Sequence, residues 1–127
     1  FSLPDINGKN RTLYDFKGKY IVLDFWGTWC SSCVKGFPKL KEYYSKYKDR
    51  IEFIGIDCQD NIESWKKAIM KYDLTWTNLY SEDKVITENY GITGYPTKFL
   101  IDKEGKIVLK SSGEDKEFYD TIDELLK

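Results

Sequence analysis

The 127 residues include no histidine. Its absence removes imidazole acid–base catalysis, Ser-His and Cys-His nucleophile pairs, and most transition-metal sites. Cysteine is scarce, with only Cys30, Cys33 and Cys58. Three thiols fall short of the four N/S ligands of structural zinc. They are also too few for a disulfide scaffold, which a domain of this size does not need. The net charge is −1, and the many lysines are interspersed with acids, so no basic field points to nucleic acid. No apolar run approaches the roughly 20 residues that cross a membrane. Apolar residues still make up 41%, with seven Phe, ten Tyr and four Trp, which suits a folded chain and not a disordered one. The length fits one domain around one core. The sequence opens at Phe1, directly on strand-like residues, so an upstream signal, anchor or further domain is expected.

A CxxC pair plus one odd thiol is redox arithmetic. The run Tyr20–Trp26 is apolar on both faces, as in a central strand of a largely parallel sheet. It leads into Trp29-Cys30-Ser31-Ser32-Cys33. Beyond it, Cys33, Phe37, Leu40, Tyr44 and Tyr47 recur at helical spacing, with Pro38 predicted to kink the helix. The pair therefore falls where a buried strand becomes a helix. Free N–H groups and the macrodipole at a helix start favour a thiolate, which makes Cys30 the attacking thiol. Cys33, one turn on, is within disulfide reach, with Cα atoms about 5.5 Å apart, and can resolve a mixed disulfide. A structural disulfide or half a zinc knuckle is the plainer alternative, and no second CxxC supports the knuckle.

Asp24 interrupts the apolar strand. Burial is expected to raise its pKa, and it could take the proton of Cys33 as that thiol attacks. A hydrogen-bonded core acid is the competing reading. Cys58 ends the second strand, Ile51–Asp57, and reads as an ordinary semi-buried cysteine, with a regulatory thiol as the alternative.

The remaining elements complete one α/β domain over residues 1–127. Phe1 to Tyr20 is a hairpin-like lead-in turning at Asn7-Gly8. Asp60, with Glu63 three residues on, resembles a capping box for a helix through Ile62, Trp65, Ile69 and Tyr72. Leu74 to Leu79 is irregular or briefly extended. Asp83–Tyr90 is a short helix closed by Gly91. Lys98–Asp102 and Lys106–Lys110 form an antiparallel hairpin, and Phe118, Ile122, Leu125 and Leu126 define a terminal helix. Gly36 costs about 1 kcal/mol against Ala inside a helix.

On these residues the chain resembles the thioredoxin superfamily, and within it the TlpA/ResA-like branch of extracytoplasmic redoxins. The similarity runs nearly end to end. It covers Phe1–Lys9, the Phe16-Lys17-Gly18-Lys19 turn, Trp29–Cys33 as W-C-x-x-C, Pro38, Tyr90–Thr97 and Leu100–Gly105. The resemblance implies a thioredoxin-like α/β fold: a central mixed β-sheet flanked by helices, with an N-terminal β-hairpin extension. It implies a dithiol–disulfide oxidoreductase without cofactor or metal, with Cys30–Cys33 as redox-active disulfide. Asp24, six residues before Cys30, matches the buried acid of thioredoxin. A cis peptide at Pro96 would expose the Tyr95 backbone to substrate, with Trp29 flanking the sulfurs. Otherwise Pro96 simply starts a strand. Many relatives carry Glu three residues after the second cysteine, where this chain has Gly36.

The implied partners are protein disulfides, an upstream electron donor and apocytochrome c. The implied location is extracytoplasmic, in the periplasm or cell envelope, with any membrane tether in an upstream segment. A monomer acting as a reductant is expected. A metal-handling module on the same fold, such as a copper chaperone, is the alternative, disfavoured by the lack of histidine. A peroxidase would need a Pro- and Thr-bearing loop that is absent around Cys30.

Overall fold

The computed structural model describes residues 1–113 and 115–126. In chain order the elements are β1 (Ser2–Pro4), β2 (Asn10–Thr12), a 3₁₀ turn (Leu13–Phe16), β3 (Tyr20–Trp26), α1 (Ser31–Lys35), α2 (Phe37–Tyr47), β4 (Ile51–Asp57), α3 (Ile62–Lys71), β5 (Thr77–Tyr80), α4 (Val85–Asn89), β6 (Thr97–Ile101), β7 (Ile107–Ser112) and α5 (Lys116–Leu126). The main sheet has the order β5-β4-β3-β6-β7. Strands β3, β4 and β5 run parallel, while β6 is antiparallel to β3 and to β7. This is the central mixed sheet flanked by helices that the sequence leads one to expect. The expected N-terminal hairpin pairs Ser2 with Thr12 and leans on the edge of β5 through an Asp5–Leu79 bridge. Covering that edge removes a row of unpaired backbone groups.

Strand β3 is buried along its length apart from Tyr20, and its side chains alternate between two cores. Val22 and Trp26 enter the first, with Phe37, Leu40, Trp65 and Ile122 from the helices. Ile21, Leu23 and Phe25 enter the second, with Phe16, Ile86 and Cys58. The C-terminal end of β3 thus feeds the CxxC directly onto the helical face.

Several local expectations change. The helix after the CxxC is two helices, divided at Gly36, two residues before Pro38. Gly36 joins them as the C-cap of α1 and N-cap of α2, so Pro38 falls in the first turn of α2. A missing N–H is harmless there, since first-turn donors have no helical acceptor. Gly36 is accordingly not a mid-helix glycine. On α2 the fully buried tyrosines are Tyr43 and Tyr47, with Tyr44 only partly covered. The cap of α3 is Asn61, whose Oδ1 accepts the Ser64 N–H at 2.8 Å, and not Asp60. The stretch read as irregular or briefly extended ends in β5, pairing Ile54 with Thr77 through Asp57 with Tyr80. The short helix α4 spans Val85–Asn89, followed by Gly91 at φ +64°.

Candidate active site

Cys30 is the N-cap of α1, and its Sγ accepts the Cys33 N–H at 3.2 Å. The two cysteines form a disulfide with Cα atoms 5.3 Å apart. Ser32 Oγ lies 3.5 Å from Cys30 Sγ. The local sequence produces this arrangement directly: β3 ends at Trp26, and Thr28 and Trp29 make the turn after Gly27. The Cys30 N–H then closes on the Gly27 carbonyl at 3.1 Å. Both cysteines belong to the helical core, Cys30 at 7% and Cys33 at 3% exposure.

Trp29 is the large exposed residue beside them, 49% exposed. Its Nε1 donates to the Cys58 carbonyl at 2.9 Å, and its ring meets that of Tyr95 edge-on with centroids 5.1 Å apart. Gly27 makes this possible, because a Cβ at that position would overlap the Trp29 indole. The Tyr95–Pro96 peptide is cis. Tyr95 is half-buried against both cores, and burial pushes its hydroxyl up to about 12. Trp29 and Tyr95 are thus brought together, with Trp29 next to Cys30 in the chain.

Asp24 is 4% exposed and lies in register with Lys98 of β6. Lys98, also 4% exposed, brings its Nζ to 4.0 Å from Asp24 Oδ1. The acid is therefore buried with a counter-charge. Sequence reading missed Lys98, although a lysine inside an apolar strand two residues after Pro96 was a visible signal. It shares the helical face of the sheet with Val22 and Trp26, the face that carries the cysteines.

Cys58 is the free thiol and is 1% exposed. Burial, then the neighbouring Asp57, pushes it up to about 12, and its Sγ points to the Ile56 carbonyl at 3.4 Å. It is more deeply buried than the semi-buried cysteine expected, and its main chain does the structural work. The Cys58 N–H joins the Trp26 carbonyl and its C=O holds Trp29. Asp60, which does not cap α3, has another task. Its carboxylate accepts the Thr28 N–H at 2.8 Å and the Thr28 hydroxyl at 2.6 Å, tying the β4–α3 loop to the turn before Cys30.

A CxxC disulfide at a helix start, directly after the central strand of a mixed sheet with helices against it, defines a thioredoxin-like redox architecture. The chain belongs to the AhpC/TSA family, whose profile matches residues 1–110. It is similar to thiol-disulfide oxidoreductase ResA of Bacillus thuringiensis subsp. konkukian, at 40% identity over 115 residues. It covers 90% of this chain and 66% of that relative, just under two thirds of its length. ResA of Bacillus subtilis is 33% identical, over 89% of this chain and 64% of its own. Among solved structures, the thioredoxin domain of a thiol-disulfide oxidoreductase from Bacteroides vulgatus is 36% identical with a TM-score of 0.90. That match covers all of this chain and 93% of the other. A thiol:disulfide interchange protein from a Bacteroides species is 36% identical at a TM-score of 0.88, covering 98% and 84%.

Proposed function

We propose that this chain is a dithiol–disulfide oxidoreductase domain that reduces disulfides in protein substrates. The observation that carries the reading is the Cys30–Cys33 disulfide with Cys30 capping α1 and accepting the Cys33 N–H. A donor aimed at Cys30 Sγ favours its thiolate over its thiol. In the reduced protein the Cys30 thiolate attacks one substrate sulfur, and the other leaves as a thiolate that takes a proton. Cys33 then gives up its proton and attacks Cys30 Sγ, expelling the second substrate sulfur. The chain ends as the disulfide and the substrate as a dithiol, two electrons and two protons richer.

Asp24 is the proton acceptor for Cys33 in this reading. Its place on the helical face of β3, under the Trp26 layer, supports the role, and Lys98 holds its charge in place. Trp29, Tyr95 and Pro96 form the substrate-facing rim, with the edge-on Trp29–Tyr95 contact shaping it. The relatives named above are thiol-disulfide oxidoreductases and a thiol:disulfide interchange protein, which supports disulfide chemistry. A cell-envelope location, a separate electron donor, apocytochrome c as one substrate and a monomeric state follow from the resemblance to ResA-like redoxins.

The test is turnover of a peptide disulfide by the reduced protein. Cys30→Ser should lose at least a thousandfold in rate, while unaltered turnover in that variant would reject the proposal. Equilibration with glutathione fixes the direction: a potential near about −270 mV fits a reductant, one near about −120 mV an oxidant.

A further inference from the structure

Asp57 ends β4 with its side chain wholly buried, at 0% exposure. Neither of its carboxyl oxygens meets an N–H or O–H donor in good hydrogen-bond geometry among the described residues. It sits in register with Trp26 on β3 and Tyr80 on β5. The carboxyl group that stands against it is that of Asp60. Asp60 in turn holds both the N–H and the hydroxyl of Thr28, and its carbonyl accepts the Tyr80 hydroxyl. Thr28 lies two residues before Cys30.

A lone carboxylate in such a place is costly, and two carboxylates side by side more so. One proton held between them removes both penalties, as in other carboxyl pairs. We propose that Asp57 is a positioning residue for the redox loop: a proton shared with Asp60 keeps Asp60 on Thr28, and its loss frees Thr28 and the Trp29–Cys30 segment. The inference rests on the reading of Cys30–Cys33 as an exchange site.

Burial, then Asp60, pushes the Asp57 carboxyl up to about 9. The other titratable groups around it are separable. Cys58 and Tyr95 are each pushed up to about 12. Tyr80, with Glu82 behind it, is raised above the ordinary tyrosine value by burial and then by Asp57. Asp24 lies further down the same sheet face and faces Lys98. In the oxidised protein Cys30 and Cys33 do not titrate at all.

The experiment is an NMR titration of the oxidised protein from pH 6 to 11, following the Asp57 carboxyl carbon and the Thr28 amide. The two should move together with a midpoint well above neutrality, and Asp57→Asn should leave the Thr28 trace flat. In parallel, the ratio of exchange rates of Asp57→Asn to wild type should rise at least threefold between pH 7 and pH 10. An Asp57 carboxyl that titrates in the ordinary carboxylate range would overturn the proposal. So would a Thr28 amide that ignores the Asp57 titration, which wild type alone decides if the variant does not fold. Absence of exchange at every pH, with the Thr28 coupling intact, would instead refute the exchange reading and uphold the carboxyl coupling.

Discussion

Asp24 and Lys98 have to be considered as a unit. Each is buried, and the two opposite charges stand 4.0 Å apart in a low-dielectric core. Removing one partner of such a pair typically costs about 3–5 kcal/mol, whereas replacing both is often close to neutral. Lys98→Met should therefore destabilise the fold by about 3 kcal/mol in urea melts, while Asp24→Asn with Lys98→Met recovers most of the loss. Equal instability of the single and double variants would mean that the two charges are not coupled. Lys98 also changes what is expected of Asp24→Asn alone. Burial by itself makes that substitution stabilising at neutral pH, but here it also takes a counter-charge away from the buried Lys98. Gly27 makes a second test at this scale. Gly27→Ala should push the Trp29 indole off the Cys58 carbonyl, shift the tryptophan fluorescence and slow exchange. Unchanged fluorescence and rate would show that the indole's seat is not set by the glycine.

The helices and strands differ in how plainly the sequence announces them. Strand β3 and its partner β4 are legible because continuous apolar runs leave few other solutions. The CxxC at a helix start is legible because strand and helix periods change there. The split at Gly36 is not, since an apolar stripe with a proline reads the same whether Pro38 kinks one helix or opens a second. Asp60 was misread for a related reason: two polar residues precede Ile62, and either can cap α3. Helix α5 carries a contact no local pattern signals. Asp123 accepts the hydroxyls of Tyr43 and Tyr47 on α2 and pairs with Lys46 at 2.9 Å. Those hydrogen bonds, Tyr43's first, hold Asp123 down at about 2. A folded value below the unfolded one, near 3.9, means the contribution is present above pH 4 and is lost as pH falls from about 4 to about 2. Asp123→Asn should flatten that part of the acid-stability curve. An unchanged curve would mean that the α2–α5 clamp contributes nothing measurable.

At the scale of the whole molecule, the redox loop depends on pieces distant in sequence. Thr28 is tied to Asp60, Trp29 to Cys58, and Asp24 to Lys98. None of these pairs could be read from the sequence, because each depends on strand register across the sheet. The buried carboxyl of Asp57 gives the molecule a second pH signature, opposite in sign to that of Asp123. Its folded value, about 9, lies above the unfolded one, so the native state binds more protons between about pH 4 and pH 9. Stability should fall as pH rises through that window, with one proton contributing a slope of up to about 1.4 kcal/mol per pH unit, and the penalty should persist above it. Asp57→Asn should lessen the slope, and denaturant melts at pH 5, 7 and 9 measure it. An equal slope in the variant would assign it to other groups. The central claim, that Cys30 attacks and Cys33 resolves, is tested most directly by trapping. Cys33→Ser, reduced and mixed with a disulfide-bonded peptide, should accumulate a mixed disulfide that peptide mapping places on Cys30. A mixed disulfide on Cys58, or none while Cys30→Ser forms one through Cys33, would contradict it.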